Sequence, residues 1–189
     1  DKMFASKLPE GTVSALNYAN VLSLFIINLI GTTTATVLFT RLTELNAEHN
    51  EKEFHETLWT GIRTLSFLLL PCMIIVSVCS PWIIDLLFHR GRFSLENVIV
   101  TSESLRFYAF SIIGTALNQL MYRAYFSKKD MITPFLCYLV GIFANVYLNW
   151  VLIDTYAHIG LAVATSVSVF VIFLLQVLLF KKENKNNGI

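Results

Sequence analysis

Residues 14–28 read SALNYANVLSLFIIN, a stretch with no charged side chain that nonetheless holds Asn17, Asn20 and Asn28. It lies inside a longer uncharged run, residues 11–40, bounded by Glu10 and Arg41. A helix rises about 1.5 Å per residue, so this run reaches roughly 45 Å, beyond the ~30 Å of a bilayer's hydrocarbon core. Such a helix tilts, breaks or lies along the interface at one end, and Gly11 is where it frays.

The rest of the chain has the same character. Hydrophobic residues make up 55% of 189 and charged residues 14%, where a soluble domain carries about 25% charged residues. Further apolar runs occupy 64–84, 98–122, 131–153 and 158–180. Neither IINLIG nor FLLLPCMIIV alternates as a membrane barrel strand does, and helices alone satisfy the backbone of a lipid-facing segment. The expected fold is all-α: a polytopic transmembrane helix bundle of about five spans. DKMFASKLPEG lacks the basic-then-apolar order of a cleaved signal, and the chain reads as a piece of a larger protein.

Lysine and arginine set the orientation. Lys2, Lys7, Arg90, Arg92 and Arg106 fall on one side; Arg41, Lys52, Arg63, Arg123, Lys128, Lys129, Lys181, Lys182 and Lys185 fall on the other, which is therefore cytoplasmic. On that side, residues 46–63 carry Phe54, Leu58 and Ile62 at steps of four beside Trp59, predicting an amphipathic segment along the interface. Residues 181–189, KKENKNNGI, form a polar cytoplasmic tail too hydrophilic to pack.

Enzymatic chemistry has no foothold. Cys72, Cys79 and Cys137 lie in separate apolar positions with no CxxC spacing, and the histidines His49, His55, His89 and His158 fall far apart. There is no phosphate loop, GxSxG or HExxH. No catalytic residue, metal or cofactor is expected. What the spans do carry is amides and small residues at helical spacing: Asn17, Asn20, Leu24, Asn28 and Gly31 on the first, with Gly11, Ala15 and Ala19 as a second row. Gly114, Asn118 and Tyr122 recur on the third, Gly141, Asn145 and Asn149 on the fourth, Gly160, Ala164 and Ser168 on the fifth. Small residues and amides join helices in lipid. So many amides at depth also suit a water-filled, substrate-accessible cavity, lined by Asn17, Asn20, Asn28, Asn118, Asn145 and Asn149, with Arg123 at its cytoplasmic mouth as a contact for an anionic head group. Pro71 interrupts the second span's hydrogen bonding, Pro134 opens the fourth, and Asp130 caps that helix or pairs with a lysine.

LPEGTVSALNYANVL, GTTTATVLFTRL, LLFHRGRFS, RAYFSKKDMITP and HIGLAVATS, in this order over nearly the whole chain, resemble the second half of the lipid II flippase family known as MurJ or MviN. That family belongs to the multidrug, oligosaccharidyl-lipid and polysaccharide exporter superfamily. The resemblance implies one lobe of a MATE-like transporter, covering helices eight to twelve of fourteen, with the amino-terminal lobe as a partner. It implies alternating-access transport of an undecaprenyl-linked peptidoglycan precursor, lipid II or a related lipid-linked glycan, across the bacterial cytoplasmic membrane, with membrane lipids around it and no nucleic acid. Two positions depart from the family pattern: Val21 stands in YANVL where an arginine facing the lipid's diphosphate is usual, and Thr40 precedes Arg41 where a proline is usual. Two other readings stay open at this level. A drug or cation antiporter of the same superfamily would want a titratable carboxylate within a span; a non-transporting membrane scaffold would use the amides for stability alone.

Overall fold

The computed structural model describes residues 11–89 and 93–186; the expectations for residues 1–10, for Arg90 and Arg92, and for 187–189 lie outside them. All described elements are helical. Helix α1, Thr12–Ala47, is α-helical except for a π-helical segment at Ile27–Thr32. Helices α2, Glu51–Phe88, and α3, Leu95–Ser127, follow. Helix α4, Ile132–Asn186, breaks at Ala157, whose φ of 47° and ψ of −124° are not helical. It doubles back there into two arms, 132–156 and 158–186, with Gly141 of the first against Ile172 of the second.

Runs 64–84, 98–122 and 158–180 lie in α2, α3 and the second arm of α4, while 11–40 and 131–153 begin one residue before α1 and the first arm. By length and composition, α1, α2 and Ile132–Lys182 are apolar enough to cross a membrane, the last being the two arms together. Helix α3 is more polar, with Glu96, Glu103, Arg106 and several serines, and it is also the most enclosed helix, packing on α1, α2 and α4. The bundle's outside is apolar instead: Phe67 and Leu86 are each 82% exposed, Trp82 and Phe143 72%. A surface of large bare hydrophobic side chains is that of an integral membrane protein.

The α1–α2 and α3–α4 turns close by the same backbone device. Asn50 N–H donates to Leu45 O (3.0 Å) with His49 left-handed, and Asp130 N–H donates to Tyr125 O (3.0 Å) with Lys129 left-handed. Each is followed by a helix cap: Asn50 Oδ1 accepts from Glu53 N–H, and Asp130 Oδ1 accepts from Ile132 and Thr133 N–H, the latter two at 3.0 Å. Asp130 is thus a cap, one of its two sequence readings.

Two expectations change here. Residues 46–63 do not form a separate surface helix: α1 ends at Ala47 and residues 51–63 run without a break into α2. Phe54 and Leu58 turn inward and are buried, Phe54 stacking on Phe180 beneath the Lys128 ammonium. The stripe was real, and its destination is protein. The helix at the other end also outlasts its expected limit at 180 and continues to Asn186, with Lys181 placed 5.2 Å from the Trp59 ring centroid. That cation–ring contact tethers the first turn of the expected tail.

Candidate functional site

Helix α1 has two faces. Ala15, Ala19, Ser23, Ile27, Gly31 and Ala35, at steps of four, are buried. In a helix of 3.6 residues per turn, steps of four rotate by about 40° each, so such a row would wind off its partner. The π segment, wound more loosely by i→i+5 bonds, swings it back. Gly31 thereby lands against Ala116 of α3, on the buried row and not on the amide stripe where the sequence placed it.

The other face is open. Asn17, Asn20 and Asn28 are exposed, beside Val21 (59% exposed) and Leu24 (40%). Asn28 lies in the π segment, where the Thr32 hydroxyl is 3.3 Å from its Oδ1 and 2.9 Å from Gln119 Oε1 of α3. A hydroxyl has one hydrogen, so Thr32 serves one acceptor at a time, and the shorter contact is to Gln119.

The remaining amides go elsewhere. Asn118 is buried between α3 and the second arm of α4, its Nδ2 donating to Val169 O at 2.8 Å. Between the arms of α4, Asn149 Nδ2 donates to Asn145 Oδ1 (3.0 Å) and Asn145 Nδ2 to Ser168 Oγ (3.3 Å). Gly114, Gly141 and Gly160 of the same rows are buried too, so these rows are helix seams. Arg123 is half-buried with its guanidinium carbon 5.8 Å from the Phe39 ring centroid of α1. The seven candidates therefore do not converge within this chain: three share the open face of α1, three stitch seams, and Arg123 leans on Phe39 of α1.

Sequence reasoning passed over Gln119. It sits one residue after Asn118 and three before Tyr122 in an uncharged run, which was signal enough. With Tyr122, Phe135 and Tyr138 it lines a cavity of ≈ 440 Å³ between α3 and the first arm of α4. Also passed over were two contacts that tie helices together, a hydrogen bond between His158 Nε2 and Glu103 Oε2 and an ion pair of Lys128 Nζ with Glu51 Oε2, both 3.0 Å.

Compared with models of known families, the chain matches the one described as lipid II flippase MurJ over residues 1–188. The chain belongs to the MurJ family. A probable lipid II flippase MurJ of Vibrio cholerae is 32% identical over 170 residues, which are 90% of this chain and 32% of that protein. One from Thermotoga maritima is 33% identical over 181 residues, 96% of this chain and 37% of that protein. A solved lipid II flippase MurJ in an inward closed conformation shares the fold, with a TM-score of 0.86 at 24% identity over 94% of this chain and 38% of that one. The chain spans about a third of the length of the curated MurJ relatives it matches.

Proposed function

We propose that this chain is one lobe of a flippase that carries an undecaprenyl-linked peptidoglycan precursor, lipid II or a close relative, across the bacterial cytoplasmic membrane by alternating access. On this reading the protein is a transporter with no catalytic step, its polar end at Lys181–Ile189 is cytoplasmic, and the second lobe supplies the opposite wall of the cavity.

The observation that carries the reading is the uncovered amide row of α1. A carboxamide facing hydrocarbon without a partner costs several kcal/mol on water-to-alkane scales, about 4–8. Asn17 and Asn20 sit on the exposed side of a helix whose other side is already seated on α3, so their partner is water or substrate inside a cavity closed by more of the protein. Neutral donors and acceptors of this kind suit sugar hydroxyls and pyrophosphate oxygens. The exposed Val21 leaves the diphosphate contact that the family's arginine makes to other charges.

Reconstitution of the native full-length protein into liposomes tests this, with lipid II translocation read by protection from a membrane-impermeant reagent. Asn17→Leu with Asn20→Leu should lower the rate at least tenfold while leaving the unfolding midpoint within error. Unchanged flux with a lowered midpoint would instead assign the amides to packing and the chain to a scaffold.

A further inference from the structure

The cavity behind Gln119 has a chemistry of its own. Its walls are Tyr122 and Gln119 of α3 and Phe135 and Tyr138 of the first arm of α4, with no charged side chain among them. Tyr122 and Tyr138 stand edge to face, centroids 6.2 Å apart and planes at 88°, and Phe126 lies against the Tyr122 ring with centroids 4.0 Å apart, so the three rings form one aromatic wall. The Gln119 carboxamide is held by its oxygen, which accepts from Thr32, and this fixes its Nε2 with two hydrogens uncommitted. Both tyrosine hydroxyls are likewise without a hydrogen bond to the described residues. All three residues are half-buried, which keeps these groups reachable from the open side.

We infer that this cavity is a glycan subsite: it takes the sugar portion of the carried lipid and not its diphosphate. The inference rests on the flippase reading above. A pyranose has weakly polar C–H faces that lie on aromatic rings and an equatorial rim of hydroxyl and amide groups that pair with neutral donors. The cavity supplies both, and its volume falls in the range of small-ligand sites, about 300–1,000 Å³. A diphosphate would call for cationic donors, and the nearest arginine, Arg123, is directed to the Phe39 ring of α1. The Thr32–Gln119 bond also ties the subsite's carboxamide to the π segment of α1.

The experiment measures binding of two probes, lipid II and sugar-free undecaprenyl pyrophosphate, to the native full-length protein in detergent. Gln119→Leu and Tyr138→Leu should weaken lipid II binding about tenfold each and leave undecaprenyl pyrophosphate unchanged, while Tyr138→Phe, which keeps the ring, loses less than about threefold. Equal losses for both probes, or none for either, overturn the glycan subsite. Failure of the unsubstituted protein to bind either probe overturns the flippase reading itself, and the subsite falls with it. Should a variant not fold, Gln119→Cys in a background with Cys72, Cys79 and Cys137 replaced by serine gives a second measurement. Its thiol should react with a membrane-impermeant maleimide and be protected by lipid II but not by undecaprenyl pyrophosphate. A thiol that never reacts, or that both probes protect alike, refutes the assignment.

Discussion

Replacing Gly31 by alanine tests how α1 is seated. A Cβ built at Gly31 would lie 2.8 Å from Ala116 Cβ and 3.5 Å from Ala116 Cα. Two carbons prefer about 3.5–4.0 Å, so the methyls overlap by at least about 0.7 Å, and a methyl has no rotamer by which to escape. Overpacking of this kind costs about 1–3 kcal/mol, and alanine returns about 1 kcal/mol in helix propensity, giving a net loss of up to about 2 kcal/mol. Ala116→Gly alone should lose a similar amount, about 1 kcal/mol in propensity and as much again for the methyl-sized void. The double variant simply moves the methyl across the seam. It should therefore lie within about 1 kcal/mol of the parent, a favourable coupling of about 2 kcal/mol. Unfolding in mixed micelles titrated with SDS measures all four proteins. Strictly additive losses would mean that the seam is not tight at Gly31, and that the π segment does not set the phase of the buried row.

Three further outcomes follow from the same geometry. Asn118→Leu removes the bond to Val169 O and should cost about 0.6–1.7 kcal/mol in the same unfolding assay with lipid II flux unaltered, the reverse of the α1 amides. Lys128→Met keeps the stem but loses the Glu51 pair and the charge 5.1 Å and 5.2 Å from the Phe54 and Phe180 ring centroids; it should destabilise by about 1–2 kcal/mol, read as a lowered unfolding midpoint. Burial pushes the Asp130 carboxyl up, but hydrogen bonds from the Thr133 side chain and from Thr133 and Ile132 N–H outweigh it and hold the group below its usual range. The depressed value means that the unfolded chain binds the proton more readily, so this contribution is full above the unfolded carboxylate value, about 3.9, and is lost as pH falls through the folded one. Asp130→Asn keeps the cap and should flatten that acid slope while matching the parent at pH 7, as unfolding midpoints between pH 3 and pH 7 will register.

The helical rods were legible because apolar run length is a strong signal, and the reversal near Asp154 showed as a polar break in it. The destinations of the polar groups were harder to read. A row at steps of four says that residues share a face, and it is silent about whether that face meets protein or water. Asn118 and Asn17 look alike in sequence and end in a dry seam and on an open wall. Gly31 was misplaced for a different reason: it lies past the start of a π segment, and INLIGT carries no local residue that announces one. The 46–63 stripe was read correctly as apolar, but its partner, Phe180, lies more than a hundred residues away in sequence.

Helix α3 shows how a bundle can carry many polar side chains without a cavity. Ser102, Ser104, Ser111 and Ser127 each donate back to a carbonyl three or four residues earlier in the same helix, so burial leaves their donors satisfied. Asn118 reaches the α4 backbone, and Tyr125 donates its hydroxyl to Gln176 O. Composition made α3 the least membrane-like of the rods, and the structure uses that composition to build the hub on which the others pack. Once these internally matched groups are set aside, the amides left on the open face of α1 are Asn17, Asn20 and Asn28, and Thr32, one turn beyond Asn28, reaches Gln119 of α3. On the flippase reading proposed above, this open row is the side of the chain that meets water and cargo.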